Sequence, residues 1–205
     1  MNKRIVIKLG TSVLTNGTPR INQQKMLEIV QQVAHLHQQG QEIIIVSSGA
    51  QAAGRERLNF PELEKSVPAK QMLSAVGQGR LMHYYSELFD IFEIIVGQVL
   101  LTRGDLDHRL RYLNARDTLL TMIDRRIIPI INENDTTATE EIRVGDNDNL
   151  SALVANLVEA DLLVLLTDQP GLFTEDPRRS PDAHLIAQVE RIDEATMAIA
   201  GGVGT

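Results

Sequence analysis

The chain contains no cysteine and no tryptophan, and aromatic residues make up only 3% of it. Without cysteine there is no disulfide, no thiolate nucleophile and no cysteine-ligated zinc. A reducing compartment, the cytoplasm, is the expected setting. So few rings exclude base-stacking platforms and aromatic cages. Positive charge is also short: 20 Lys and Arg stand against 27 Asp and Glu, for a net −7. That balance argues against a nucleic acid or an anionic membrane surface as partner. No apolar run exceeds about six residues, against the ~20 a membrane-spanning helix needs, so no membrane span is expected. The first residues lack the apolar stretch and small-residue cleavage site of a secretion signal, and none is expected. Apolar residues at 43% and charged residues at 23% are ordinary values that permit a sizeable core in a chain of 205 residues.

Short β-branched or leucine-rich runs alternate with helical periodicity. Strands are expected at Arg4–Leu9, Glu42–Ser47, Ile94–Leu101, Ile127–Asn132 and Asp161–Thr167. Helices are expected at Asn22–Gln39, Lys70–Phe92, Leu110–Asp124 and Asp148–Glu159. Asn22 is suited to cap the first of these and Gly40 to end it. In the second, Leu73, Val76, Leu81, Tyr84, Leu88 and Phe92 form the expected inner face, and Gly77 and Gly79 mark a close helix contact. Pro129 suggests that the fourth strand is an edge or carries a bulge. Strands apolar on both faces, separated by helices, predict an α/β fold: a three-layer αβα sandwich with a mainly parallel central sheet. One domain spanning residues 1–205 is expected.

Ligands of open α/β sheets sit outside the carboxyl ends of the strands. Those ends carry Lys8, Gly10, Thr11 and Ser12; Ser47, Ser48 and Gly49; Asn132, Asn134 and Asp135; and Thr167, Asp168 and Gly171. A polar segment, Glu133–Asp148, ends in Gly145-Asp146-Asn147-Asp148-Asn149. Glycine turns and free backbone N–H groups favour an anionic ligand such as a phosphate chain. Common alternatives fail. There is no Gly-Lys dipeptide and hence no Walker loop. No GxGxxG follows the first strand, and no GxSxG elbow occurs. The Asp146-Asn147-Asp148 run fails as a calcium loop because Leu150, Ser151 and Leu157 fill positions five, six and twelve. The five histidines show no metal-ligand spacing, so no protein metal ligand is expected. Arg103, Arg109, Arg111 and Arg116 read as helix-surface ion-pair partners. A strand-end lysine, glycine turns, acids and amides suit phosphoryl transfer, in which positioning and charge neutralisation dominate. A carboxylate acceptor, already ionised near neutral pH, needs no general base.

Five blocks occur in order: Lys8-Leu9-Gly10-Thr11-Ser12; Ser47-Ser48-Gly49-Ala50 with Ala53-Gly54-Arg55-Glu56; Asn132-Glu133-Asn134-Asp135; Gly145–Ala152; and Thr167-Asp168-Gln169 with Gly171-Leu172. Together they resemble the amino acid kinase family, in particular its branch that phosphorylates glutamate. The resemblance implies ATP-dependent phosphorylation of the γ-carboxylate of L-glutamate, with Mg²⁺, as the first step of proline synthesis. It implies Lys8 at the β- and γ-phosphates, and Asp148 orienting the catalytic lysines. It implies Ser48, Gly49, Asn132, Asp135, Asp146 and Asn147 around glutamate, and Lys8, Gly10, Thr11, Thr167 and Asp168 at the nucleotide. Proline as feedback inhibitor, assembly into dimers or tetramers, and delivery of the product to glutamate-5-semialdehyde dehydrogenase are further implications. The family continues into a glycine-rich segment bearing a second lysine, and many members add a PUA domain. This chain is expected to be truncated before both. Two other readings stand beside it: an amino-acid-binding domain without turnover, and a related carboxylate kinase such as one acting on acetylglutamate.

Overall fold

The computed structural model describes residues 3–138 and 147–200. In chain order the elements are β1 (Arg4–Leu9), α1 (Thr11–Thr15), α2 (Gln23–Gln38), β2 (Glu42–Ser47), α3 (Ala50–Arg57), α4 (Val67–Asp90), β3 (Val96–Leu101), α5 (Arg103–Asp107), α6 (Arg109–Asp124), β4 (Ile128–Glu133), α7 (Asn147–Leu157), β5 (Leu162–Leu166) and α8 (Glu194–Ala200). They form two compact units, Met1–Leu166 and Thr167–Thr205. Within the second unit, Phe173 and Leu185 make an antiparallel bridge, and Asp193 accepts from the Thr196 N–H at the start of α8.

In the first unit five strands pair in the order β3-β4-β2-β1-β5, and every pair is parallel. This is the α/β architecture expected from the alternation. Period two sorts the side chains between faces. Ile5, Ile7 and Leu9 of β1, with Ile43 and Ile45 of β2 and Ile128 and Ile130 of β4, pack beneath α2, α3 and α4. Val6, Ile44, Val46 and Ile131 pack on the opposite face against Leu119 and Ile123 of α6 and Leu150, Val154 and Leu157 of α7. Each fully buried aliphatic or aromatic side chain contributes roughly 1.5–3 kcal/mol, so the two layers together hold the sheet between them.

Asn22 caps α2 by accepting from the Lys25 N–H at 2.9 Å, and Gly40 follows its end with φ +91°. α4 begins one turn earlier than its periodicity suggests. Ser66 accepts from the Ala69 N–H, and Pro68 in the first turn needs no hydrogen-bond partner. Of its expected inner face Leu73, Leu81 and Tyr84 are buried, together with Gly77, Tyr85 and Phe89, whereas Val76, Leu88 and Phe92 are only partly covered. The cause is Gly77. A Cβ there would stand 1.8 Å from the Ala50 carbonyl oxygen, and one on Gly54 would stand 2.0 Å from that of Leu73. α3 and α4 thus touch backbone to backbone, turning the i+4 row containing Gly77 inward. Gly79 has nothing within 4 Å of its would-be Cβ, so of the two α4 glycines Gly77 makes the close contact.

Pro129 does not mark an edge. β4 lies between β3 and β2, and β3 and β5 are the edges. The Ile128 N–H donates to Ile95 on the β3 side. Alternation therefore turns the nitrogen of Pro129 toward β2, where pairing starts only at Ile130. The missing donor falls just before that ladder begins. β4 also runs one residue further than expected, through Glu133.

Candidate active site

The alternation that builds the core also delivers the polar residues. Lys8 shares the Val6 face of β1, so its side chain runs toward α7, and α7 begins with Asn147 and Asp148. Lys8 is buried, with 9% of its side chain exposed, and its Nζ lies 2.6 Å from Asp148 Oδ1. A buried ammonium requires such a counter-charge. Asp148 remains 46% exposed, so the pair sits at a mouth rather than inside a sealed core. Gly10 follows immediately, and its N–H donates to the Leu166 carbonyl at 3.1 Å. A Cβ there would stand 3.4 Å from Lys8 Nζ, so glycine keeps the space beside the ammonium open.

A chain of amides adjoins the pair, and its orientations follow from backbone groups. The Glu133 N–H donates to Asn132 Oδ1 at 2.9 Å, so Asn132 Nδ2 is the donor end and gives its hydrogen to Gln78 Oε1 at 2.9 Å. Asn147 Nδ2 donates to the Ser47 carbonyl at 2.9 Å, to Ser48 Oγ at 2.9 Å and to Asn132 Oδ1 at 3.1 Å. Asn147 thereby ties the ends of β2 and β4 to the start of α7. Behind it, the buried Ser47 hydroxyl lies 2.7 Å from Tyr85 OH of α4. Burial pushes the Tyr85 phenol pKa far up, and the bond to Ser47 only partly offsets this. The phenol therefore stays neutral and acts as a strut. On the loop after β4, Asp135 accepts from Ser74 Oγ of α4 at 2.6 Å.

Six of the predicted residues, Thr11, Ser48, Gly49, Asn132, Asp135 and Asn147, line one cleft of about 270 Å³. Glu133 and the start of α3 complete its wall. Gly49 enters α3 with φ +97°, a conformation that side chains other than glycine rarely adopt. A second cavity of about 320 Å³ shares Glu133 and Asp135 with the first and reaches Ser74 and Gln78 of α4 and Gln98 of β3. Asp146 lies outside the described residues, as do Gly145, Glu140 and Glu141. Thr167 and Asp168 belong to the second unit, where Thr167 Oγ1 donates to Asp168 Oδ1 at 3.1 Å and Arg178 lies 3.6 Å from Asp168. Three of the four arginines singled out pair with carboxylates: Arg103 with Asp107, Arg111 with Asp105, and Arg116 with Glu159. Burial would raise the Asp105 pKa. Hydrogen bonds from Thr102 and the Arg111 charge outweigh it, so the net shift is downward.

The wall formed by α4 escaped the sequence reading. Gln71, Ser74 and Gln78 recur at intervals of three and four on that helix, a polar stripe at helical spacing. All three reach the site: Gln71 donates to the Ala138 carbonyl at 3.2 Å, Ser74 binds Asp135, and Gln78 binds Asn132. Chemically the site presents one buried cation, nearby carboxylates and several amides, without a histidine or thiol to act as base or nucleophile among the described residues. It suits binding and charge neutralisation of a small anionic or zwitterionic molecule.

A family model described as the amino acid kinase family matches residues 3–205. The chain is 58% identical over 201 residues to a glutamate 5-kinase of Sodalis glossinidius, covering 98% of this chain and 55% of that one. It is 60% identical over 198 residues to a glutamate 5-kinase of Photobacterium profundum, covering 97% and 52%. To a glutamate 5-kinase of Haemophilus influenzae it is 57% identical over 206 residues, covering 100% and 56%. The chain thus spans about half the length of the curated relatives it matches.

Proposed function

The chain belongs to the amino acid kinase family, and on that premise we propose that it transfers the γ-phosphoryl group of ATP to the γ-carboxylate of L-glutamate. The single observation that carries this reading is the buried Lys8–Asp148 pair beside a cleft lined by amides and by Asp135. A carboxylate oxygen of glutamate attacks the γ-phosphorus, and the bond from that phosphorus to the ADP oxygen breaks. No proton moves, so the reaction does not require a histidine or thiol, and none lies in the site among the described residues. Charge spreads over the phosphoryl oxygens at the transition state, and Lys8 would neutralise it. Asp148 would hold the lysine in place. Ser48, Gly49, Asn132 and Asn147 would position glutamate, with Asp135 against its ammonium. Gly10 and Thr11 would border the phosphates. Thr167 and Asp168 are proposed for the nucleotide on the resemblance alone, and Asp146 for glutamate on the same ground.

A magnesium ion is implied by the family's chemistry. Among the described residues no three His, Asp or Glu side chains gather where they could hold an ion. A magnesium ion that arrives with ATP is held by phosphate oxygens and one or two carboxylates rather than by a protein cage, and no ligand set is assigned to it among the described residues. Proline as inhibitor, and an oligomer, remain proposals on the same resemblance. Among the described residues no helix is long and apolar enough to cross a membrane.

ADP release coupled to a reporter, with L-glutamate, ATP and Mg²⁺ and with hydroxylamine trapping of the acyl phosphate, tests this function on the chain as it stands. Glutamate-dependent hydroxamate is the expected result. Calorimetric binding of glutamate without turnover would instead support an amino-acid-binding unit. Preference for acetylglutamate would point to the related carboxylate kinase, against the presence of Asp135 in the cleft, since an acylated amine carries no charge to pair.

A further inference from the structure

We propose that Gln78 of α4 reads the α-carboxylate of the amino-acid substrate, an inference that rests on the glutamate reading above. The orientation of its amide follows step by step. The Glu133 N–H can only donate, so Asn132 offers it Oδ1 and turns Nδ2 toward Gln78. Gln78 must answer with Oε1, which leaves Nε2 pointing away from Asn132. That nitrogen is shielded from solvent and has no hydrogen-bond partner. A buried donor without an acceptor is costly, and native proteins rarely leave one so. Gln78 lines the second cavity, about 320 Å³ in volume, whose wall includes Asp135. Asp135 also lines the first cleft. An α-carbon carries its ammonium and its carboxylate on adjacent bonds. An ammonium held at Asp135 sets the carboxylate beside the second cavity, which Gln78 lines, and the unpaired Nε2 would meet it once the Gln78 side chain shifts to open that nitrogen. The remaining side chain extends into the first cleft toward Lys8. Gln78 would thus be a specificity residue for substrates with a free α-carboxylate, and one hydrogen bond away from Asn132 in the same network.

Calorimetric titration compares L-glutamate with 4-aminobutyrate, which keeps the ammonium and the distal carboxylate but lacks the α-carboxylate. Two variants separate donation from mere positioning. Gln78→Met removes both ends of the amide, whereas Gln78→Glu keeps the oxygen facing Asn132 and loses the donor. We expect both variants to weaken L-glutamate on the order of 10- to 100-fold, the scale of a hydrogen bond to a charged group. Gln78→Glu should lose at least as much as Gln78→Met, and 4-aminobutyrate should change little. The preference for L-glutamate over 4-aminobutyrate then collapses. Equal losses for both ligands in Gln78→Met, rescued in Gln78→Glu, would reduce Gln78 to a support for Asn132 and overturn the inference. So would unaltered glutamate binding in both variants. If the unsubstituted chain binds no L-glutamate, the glutamate reading falls and this inference with it.

Discussion

The two ends of the sheet treat polar groups in opposite ways. At the amino ends of the strands Arg4 and the solvent-exposed Arg126 bond to the fold's own groups. Arg4 pairs with Glu42 at 2.8 Å and donates to the Val158 carbonyl, while its backbone N–H is held by Asp161 at 2.7 Å. Arg126 donates to the carbonyls of Gly40, Gln41 and His37, and the His37 ring returns a bond to the Arg126 carbonyl at 3.1 Å. These contacts lace β1, β2, β4 and β5 to the turns before them. At the carboxyl ends the polar groups are held just as firmly but stand beside clefts. Lys8 is buried yet reaches a half-exposed Asp148, and Gln78 Nε2 waits without an acceptor. One end spends its polar groups on the protein itself; the other keeps them available for something else. In a fold with identical strand geometry at both ends, the side-chain partners alone distinguish structure from function.

Substitutions at the two ends should therefore separate activity from stability. Lys8→Ala is expected to have the largest effect. The ADP-release rate should fall about 10²–10³-fold, as when one charge-stabilising donor is removed, with only a small change in the unfolding midpoint. A loss of stability as large as the loss of activity would break the contrast. Gly77→Ala should come next and should strike both properties. The new methyl would meet the Ala50 carbonyl, so urea unfolding should show a loss of about 3 kcal/mol or more, and the α3–α4 wall of the cleft should loosen with it. Asp135→Asn should raise the glutamate KM on the order of tenfold or more while leaving the ATP KM near its original value, the pattern of a binding contact. Comparable changes in both KM values would argue against its pairing with the ammonium.

At the opposite end, Arg126→Ala should lower stability by about 1 kcal/mol and leave both KM values unchanged. The smallest expected effect belongs to His37. Burial, and then the Arg126 charge, lower its pKa below 6.5, against a smaller opposing contribution from its bond to the Arg126 carbonyl. The unfolded chain then binds the proton more readily than the folded one, so this contribution is intact above pH 6.5 and declines as pH falls below it. Thermal unfolding at pH 5.5 and 7.5 should show a decline on the acid side that is smaller in His37→Gln. An unchanged slope in the variant would remove His37 from the account.

Much of the site was legible because strand ends announce themselves. Lys8, Ser48, Gly49, Asn132 and Asp135 each stand at or just beyond an apolar run, Asn147 opens the helix that follows a polar segment, and turns rich in glycine and amides are local features. The Gln71, Ser74 and Gln78 stripe was present in the same sequence but was obscured by the apolar periodicity of α4. Only the glycine contact with α3 decides which face of that helix is inward. Pro129 misled for a related reason. Its missing N–H is a local fact, but whether that matters depends on where the ladder with β2 begins.

The amino-acid sequence by itself determined the alternation of strands and helices, the caps of α2, and the residue types delivered to the strand ends. Propensity, period and capping are short-range properties, written within a few residues. Tertiary structure decided that β4 lies between β3 and β2, that Gly77 meets Ala50, and that Gln78 meets Asn132. Those pairings join residues tens of positions apart, and they are settled by the competition of whole faces for burial rather than by any local preference.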